Sequence, residues 1–103
     1  MENKSPLLQR TYREINENRR KLVTQAYLAY PEYIYCDPDQ FNWETSSGRT
    51  NIFDIFYLEG SSYIALICDS AAVHRKPNFM MLTPSGADLM EIPGKLAEKF
   101  PLD

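Results

Sequence analysis

The sequence is poor in cysteine, histidine and glycine, and each shortage excludes a kind of site. Its 103 residues include two cysteines, one histidine and four glycines. Two cysteines are too few for the disulfide framework of a small secreted domain, so we expect Cys36 and Cys68 to be reduced and packed in the core. One histidine leaves no room for a histidine-rich metal site, and four glycines are hard to arrange into a loop that cradles phosphate.

A long apolar run is also missing. The longest, over residues 63 to 68, has six residues, whereas a membrane-spanning helix needs roughly 18 or more. The opening residues MENKSPLLQR lack the apolar segment and the small-residue cleavage site of a signal peptide. The sequence therefore predicts a cytoplasmic protein with no membrane partner.

What remains is the composition of an ordinary globular domain. Hydrophobic residues make up 44% of the chain and charged residues 24%, which are usual values for a folded protein. A chain of this length supplies one core, because domains typically have about 100 to 150 residues. We therefore expect residues 1–103 to form a single domain, with residues 1–5 flexible.

The first third of the chain predicts a long helix. Ser5 followed by Pro6 is typical of the N-cap and first position of a helix. Pro31 ends it, since the residue before a proline avoids the α region. Between them, apolar residues recur with a helical period. The stripe consists of Leu8, Tyr12, Ile15, Leu22, Ala26 and Ala29. The pattern predicts one helix over residues 6 to 29.

The rest of the chain predicts short strands joined by turns. Runs rich in aromatic and β-branched residues indicate strands over residues 33–36, 41–44, 52–58, 63–68, 79–82 and 88–92. Because residues 63–68 are apolar at every position, we expect them to form a central strand covered on both faces. Asp, Pro and Gly indicate tight turns over residues 37–40, 59–62 and 83–86.

The predicted fold class is therefore α+β. A long N-terminal helix packs on one face of an antiparallel sheet of five or six short strands. Two elements stay open. Residues 87–92 fit a short helix as well as a strand, and residues 95–100 fit a short C-terminal helix of one or two turns.

Charge is divided unevenly along the chain. Residues 1–25 carry six basic and three acidic side chains, the remainder carries five basic and eleven acidic ones, and the net charge is −3. Arg10, Arg13, Arg20 and Lys21 could face phosphates, so nucleic-acid binding through the first helix is one alternative function. Opposite charges at i,i+4 neutralise much of that potential. These pairs are Arg10–Glu14, Arg13–Glu17 and Glu17–Lys21. The pI near 5.1 also disfavours tight phosphate binding.

Arg19 interrupts the apolar stripe of the predicted helix. A buried arginine needs a carboxylate partner, and Asp54 is the natural candidate because it interrupts the apolar run over residues 52–56. One alternative is that the stem of Arg19 lies on the core while its head reaches water. Another is an exposed arginine in a groove or interface.

Side chains suited to catalysis are few. Paired carboxylates can bind a divalent cation or share acid–base work, although the Asp-Pro-Asp spacing suits a turn equally well. The acidic set is Asp37, Asp39, Glu44 and Asp69. Cys68 and His74 are near enough in sequence for a thiol–imidazole pair. A small enzyme using Cys68 or the Asp cluster is thus a second alternative, but no nucleotide-binding or hydrolase motif occurs. We assign no catalytic, metal-binding or cofactor-binding residue.

Aromatic clustering gives the strongest functional indication. The segment YPEYIYCDPDQFNWE, residues 30 to 44, holds five of the thirteen aromatic residues. Tyrosine and tryptophan favour interfaces, because they bury a large area and keep a polar end. The predicted partner-binding residues are Tyr30, Tyr33, Tyr35, Asp37, Asp39, Phe41 and Trp43. We therefore predict a small non-enzymatic protein-binding module, such as a regulator, inhibitor, adaptor or chaperone-like protein. Its predicted partner is another protein, and this partner could be a second copy of the same chain in a homodimer.

Overall fold

The computed structural model describes residues 9–69, 71 and 73–102, which form four α-helices and three β-strands. In chain order these are α1 (Tyr12–Ala29), β1 (Ile34–Tyr35), α2 (Ser46–Gly60), β2 (Ile64–Asp69), β3 (Lys76–Leu82), α3 (Pro84–Glu91) and α4 (Lys95–Lys99). The chain is α+β, and the prediction of five or six strands is wrong. No helix in these ranges has the length and apolar character needed to cross a membrane.

α1 begins later than the sequence predicts. Thr11 is its N-cap: the Thr11 hydroxyl accepts a hydrogen bond from the Glu14 N–H, while the Glu14 carboxylate accepts one from the Thr11 N–H. This capping box satisfies N–H groups that a helix start leaves open, so Gln9 and Arg10 precede the helix. The predicted start at residues 5–6 and the predicted flexibility of residues 1–5 lie outside the described ranges. The predicted end before Pro31 is confirmed.

α2 takes the place of predicted strands. Residues 41–44 are irregular, and residues 46–60 form a helix whose N-cap, Thr45, accepts a hydrogen bond from the Gly48 N–H. Ile52, Ile55 and Leu58 recur every third residue and are fully buried. A helical period was therefore present in a run whose aromatic and β-branched content predicts a strand. The predicted hairpin over residues 59–62 is wrong as well, because α2 ends there.

The sheet is antiparallel, and its strands lie in the order β1-β3-β2. Tyr35 of β1 and Ile67 of β2 both pair with Phe79 of the central strand β3. The predicted strands over residues 33–36, 63–68 and 79–82 are confirmed within a few residues. However, the prediction that residues 63–68 form a central, covered strand is wrong. β2 lies at an edge, and Ile67 is 47% exposed.

Two short helices follow β3. Thr83 caps α3 by accepting a hydrogen bond from the Gly86 N–H, and Pro84 stands in the first turn, where its missing N–H is harmless. The predicted strand over residues 88–92 is therefore wrong, and the alternative of a short helix is correct. α4 confirms the helical turns predicted within residues 95–100.

The core lies between the sheet and the helices. α1 packs against β3, α2 and α3, while α2 also packs against β2, and α3 against β3. Side chains alternate between the two faces of a strand, and Ile64, Met80 and Leu82 point into this core. The described chain measures only 19 Å across its thinnest direction, which is the thickness of two layers. The second face of the sheet is therefore available as a surface.

Candidate protein-binding site

The outer face of the sheet presents one apolar side chain from each strand in a continuous row. Tyr35, Phe79 and Ile67 pair in register across β1, β3 and β2, and they are 60%, 40% and 47% exposed. The ring centroids of Tyr35 and Phe79 lie 5.7 Å apart in an edge-to-face arrangement, which is a favoured geometry for aromatic pairs. We call these three residues the outer row.

Strand alternation explains why the outer row faces away from the core. Neighbours in the chain point the opposite way, and Ile34, Leu66 and Met80 pack within or against the core cluster. Tyr33 stands one position before β1 and follows the same alternation as Tyr35. It is 44% exposed, so it extends the apolar surface at the β1 end.

Acidic side chains stand before and after β1 in the chain. Asp37 and Asp39 are exposed just after β1, and Glu32 is exposed just before it. The predicted turn is confirmed, because Asp37 Oδ1 accepts a hydrogen bond from the Asp39 N–H at 2.9 Å and the Asp37 carbonyl accepts one from the Gln40 N–H at 3.0 Å. The chain on both sides of β1 therefore carries exposed negative charge.

Two other predicted contact residues occupy different environments. Phe41 is 0% exposed and belongs to the core cluster, so it does not form part of the surface site. Its burial holds the loop between β1 and α2 against the core. Tyr30 is 39% exposed and forms the C-cap of α1.

Trp43 belongs to a second aromatic contact, separate from the outer row. Its indole Nε1 donates a hydrogen bond to the Arg75 carbonyl at 3.1 Å, and its ring lies 5.3 Å from that of His74. The Arg75 guanidinium donates two hydrogen bonds to Glu59 and lies 4.5 Å from the Phe56 ring. The hydrogen bonds to Glu59 raise the pKa of Arg75. These contacts join the loop before α2 to the β2–β3 connection.

A buried carboxylate joins the start of the described chain, α1 and α2. Asp54 is 0% exposed and accepts hydrogen bonds from Arg10 at 2.6 and 3.0 Å, from Arg19 at 3.1 Å and from Asn18 at 2.7 Å. Arg19 also stacks on Tyr57, with Cζ 3.5 Å from the ring centroid. The predicted pairing of Arg19 with Asp54 is confirmed. The Arg19 side chain is 11% exposed, so its stem lies on the core while its head pairs with Asp54 at the edge of solvent.

Arg10 and Lys21, both named for nucleic-acid binding, lie in unlike environments. Arg10 is 7% exposed, and its two terminal nitrogens are bound to Asp54. It therefore does not face solvent phosphate, and it does not take part in an i,i+4 helix pair because it precedes α1. Lys21 is exposed beside a cavity of about 270 Å³ that Glu14 and Glu17 also line.

The other two basic residues of that set hold the C-terminal segment. Arg20 donates a hydrogen bond from Nε to the Phe100 carbonyl at 2.7 Å. Arg13 donates one to the Leu102 carbonyl and pairs with Glu17 at 2.9 Å, as the i,i+4 spacing predicts. Between them, the buried Asn16 donates from Nδ2 to the Pro101 carbonyl at 2.7 Å. Three α1 side chains therefore bind three successive carbonyls, those of residues 100–102.

The cysteines and the carboxylates do not converge on one point. Both cysteines are free thiols; Cys36 follows β1 and Cys68 lies on β2, with β3 between the two strands. Burial, with a smaller contribution from Cys68, raises the pKa of Cys36 to about 12. Across residues 9–69, 71 and 73–102, no three His, Cys, Asp or Glu side chains form a group that could hold a metal ion.

Sequence reasoning missed Phe79 and Ile67 as surface residues. The continuous apolar character of residues 63–68 predicts cover on both faces, and this concealed Ile67. A usable signal was present in β3, where Phe79 and Met81 alternate with the buried Met80 and Leu82. That Phe79 lies between Ile67 and Tyr35 depends on strand order, which a local pattern does not contain.

Comparison with known protein families, with curated proteins and with solved structures gives no match for this chain. Its surface is therefore interpreted from geometry, charge and exposure.

Proposed function

We propose that this chain is a small non-enzymatic protein-binding module whose partner docks on the outer face of the sheet. The observation that carries the proposal is the outer row: three half-exposed apolar side chains, in register across all three strands. The largest exposed apolar patch of a small protein is often the place where a partner binds.

The size of the surface sets the kind of binding. Side chains like those of Tyr33, Tyr35, Ile67 and Phe79, each roughly half exposed, present on the order of 400 Å² together. Covering that area contributes about 10 kcal/mol, which is of the same order as the cost of association. The outer face therefore suits a reversible contact of moderate affinity rather than a permanent one.

Charge indicates what the partner looks like. Glu32, Asp37 and Asp39 stand beside β1, and the chain carries a net charge of −3. A complementary partner presents an apolar patch bordered by lysine or arginine, because opposite potentials steer association and suppress wrong partners. Its association rate falls as salt is added, whereas the apolar contact itself is less affected.

The two alternatives have less support. For nucleic acid, a basic face needs cations free to meet phosphate, yet Arg10 is bound to Asp54, and Arg13 and Arg20 reach backbone carbonyls. For an enzyme, a thiol nucleophile needs a base in contact, and no hydrogen bond between Cys68 and His74 occurs among the described contacts. The outer face is the surface whose exposure calls for a partner.

The test compares matched pairs of surface substitutions. The double variant Tyr35→Ala/Phe79→Ala removes two residues of the outer row, while Tyr12→Ala/Leu28→Ala removes an aromatic and an aliphatic side chain of α1 that are 54% and 82% exposed. Tagged wild type and both variants are used to capture partners from the native host, and the captured proteins are identified by mass spectrometry. Binding of each purified candidate is then measured by calorimetry.

The proposal requires a partner that wild type and the α1 variant bind alike and that the outer-row variant binds at least tenfold more weakly. Circular dichroism establishes that both variants are folded. A partner retained equally by all three proteins places the binding site elsewhere and overturns the proposal.

A further inference from the structure

β2 is an edge strand of the sheet, and its pairing with β3 is irregular only between Ile67 and Cys68. Within the part of the chain that the structure describes, the order β1-β3-β2 leaves one side of β2 without a strand neighbour. Its sequence IALICD has no charge before Asp69 and no proline, and it is six residues long, whereas the other edge strand has two. Natural proteins usually protect such edges with charges, prolines or short strands, because a bare edge pairs with another chain.

The backbone of β2 presents hydrogen-bonding groups to that side. The Thr83 N–H donates to the Tyr63 carbonyl at 3.0 Å, so the odd-numbered residues at this end of β2 bond to β3. In an antiparallel ladder the intervening residues point the other way, which turns the N–H and C=O groups of Ile64 and Leu66 outward. Among the described residues, these outward groups have no partner in another element.

The helix layer places aromatic residues of α2 on the same side. Asp54 faces α1, because it binds Arg10 and Arg19. Successive residues of a helix are about 100° apart, so Phe56, about 160° from Asp54, lies on the flank of α2 turned away from α1, and Phe53 lies about 60° further round, on the outer side of the helix. Phe53 is 45% exposed. Since α2 packs against β2 and α1, Phe56 lies along the same border as β2, where the Arg75 guanidinium covers its ring and pairs with Glu59.

We propose that a second copy of the chain pairs with this border, β2 antiparallel to β2, around a two-fold axis at Leu66. Leu66 then bonds to Leu66 of the partner subunit, and Ile64 lies opposite Cys68 of the partner subunit, so all the outward groups are satisfied. The result is one antiparallel sheet of six strands with the α2 flanks in contact beneath it.

Charge and area favour a second copy as the occupant. In this register Asp69 lies opposite Tyr63 of the partner subunit, so the two Asp69 side chains are far apart and no like charges meet. Six strand residues span about 20 Å, and the fold is 19 Å thick. A border of these dimensions has a cross-section of roughly 400 Å², about half of the 800 Å² per copy of a standard interface, which suits a reversible pairing of two small chains.

This inference goes beyond the proposed function, because it uses a different surface. It also extends that function. Pairing of two β2 strands places Ile67 beside Ala65 of the partner subunit on the outer face, so the two outer rows join into one larger apolar surface. A dimer therefore offers its protein partner a site with two-fold symmetry.

Sedimentation velocity across a concentration series tests the proposal directly. Wild type is expected to sediment at twice the 12.0 kDa mass of the chain. Leu66→Pro removes an outward N–H group but keeps the hydrogen bonds between β2 and β3. Edge strands tolerate a proline at such a position. Phe53→Glu places a charge next to the α2 flank, at a position that is 45% exposed. Each is expected to weaken the dimer at least tenfold, whereas Leu28→Glu, on a side chain that is 82% exposed, leaves it unchanged.

The register has its own test in a Cys68→Ser background. Directly opposed residues of a hydrogen-bonded pair have Cα atoms about 5.5 Å apart, a separation that a disulfide spans. Leu66→Cys is therefore expected to form a covalent dimer under mild oxidation, and Leu28→Cys is expected to remain monomeric on a denaturing gel.

Several outcomes overturn the dimer. The first is that wild type sediments as a monomer at every concentration. The second is that the Phe53→Glu variant still dimerises and the Leu66→Cys variant forms no disulfide-linked dimer. These two results decide the matter even where Leu66→Pro fails to fold. Failure of the proposed function is a separate result: the partner would bind the Tyr35→Ala/Phe79→Ala variant as tightly as it binds wild type.

Discussion

Asp54 receives both terminal guanidinium nitrogens of Arg10, at 2.6 and 3.0 Å, across 44 positions of the chain. Bidentate pairing of this kind is stronger and more directional than a single hydrogen bond. Because Arg19 and Asn18 bind the same carboxylate, one side chain of α2 fixes the position of α1 and of the residue that precedes its N-cap.

Replacing Asp54 with alanine is expected to destabilise the protein strongly. The change leaves Arg10 and Arg19 buried without a counter-charge, and breaking a buried ion pair by removing one partner costs roughly 3–5 kcal/mol. That is a large share of the stability of a small domain. Urea denaturation measures the loss.

Glu59 provides the matched control. It pairs with Arg75 through two hydrogen bonds, as Asp54 pairs with Arg10, but the Arg75 side chain is 56% exposed. Exposed pairs contribute at most about 1 kcal/mol, so Glu59→Ala is expected to change the urea midpoint little. Equal losses in the two variants would contradict the role given to burial.

Two glycines of α2 are expected to respond to alanine in opposite directions. At Gly48 an added Cβ would overlap the backbone of Asn42, so Gly48→Ala forces the preceding loop to move at a cost of roughly 1–3 kcal/mol. At Gly60 nothing lies within 4 Å, and Gly60→Ala is expected to stabilise by about 0.5–1 kcal/mol through helix propensity. Thermal unfolding of the two variants checks the signs, and destabilisation by Gly60→Ala is the contrary result.

The raised pKa of Cys36 predicts a loss of stability at high pH. The thiol of the unfolded chain ionises near its ordinary pKa of 9.0, whereas burial raises the pKa of the folded state to about 12. Below pH 9 both states keep the proton and stability is unaffected. Between these values only the unfolded state releases the proton, so stability falls by up to roughly 1.4 kcal/mol per pH unit.

Comparison with Cys36→Val isolates this effect, since lysines and tyrosines titrate in the same range. Tyr27 acts in the same direction, because its hydrogen bond with Glu91 raises its pKa. Urea midpoints are measured for both proteins in steps from pH 8 to pH 11, and the fall is expected to be shallower in the variant. Parallel curves would assign the fall entirely to other groups.

Asn16→Ala is expected to release the C-terminal segment from α1. The buried Asn16 side chain donates to the Pro101 carbonyl, and an unpaired buried polar group costs about 1–3 kcal/mol. Hydrogen exchange at the amide of Phe100 is expected to speed up, because that residue packs beside the lost contact. Thr24→Ala is the control: its hydroxyl bonds within α1, to the Arg20 carbonyl, so its loss should leave the segment protected.

Local sequence patterns predicted those helices and strands whose apolar spacing and terminal residues indicate the same structure. The proline after α1 and the apolar residues of β2 each indicated the observed structure. α2 was missed because its Ile, Phe and Tyr content favours a strand, while its identity as a helix depends on burying one stripe against the sheet. For short apolar runs tertiary packing decides between the two.

The candidate site was only partly predictable for a related reason. Tyr33 and Tyr35 stand in a segment whose aromatic content marks it as unusual, whereas Phe79 joins them only because β3 lies between β1 and β2. Arg10 and Arg20 have the composition of a phosphate-binding face, yet their partners are Asp54 and the Phe100 carbonyl, which lie far along the chain. Long-range contacts, rather than residue type, determine what these cations do.

The order β1-β3-β2 also has a consequence during synthesis on the ribosome. The strand that joins the other two is the last of the three to emerge, so a nascent chain that stops before β3 contains both outer strands and nothing to hold them together. Neither can pair correctly until residues 76–82 appear, and the apolar β2 stays exposed throughout that interval. We therefore expect truncated nascent chains to bind chaperones most strongly when they end after β2 and before β3.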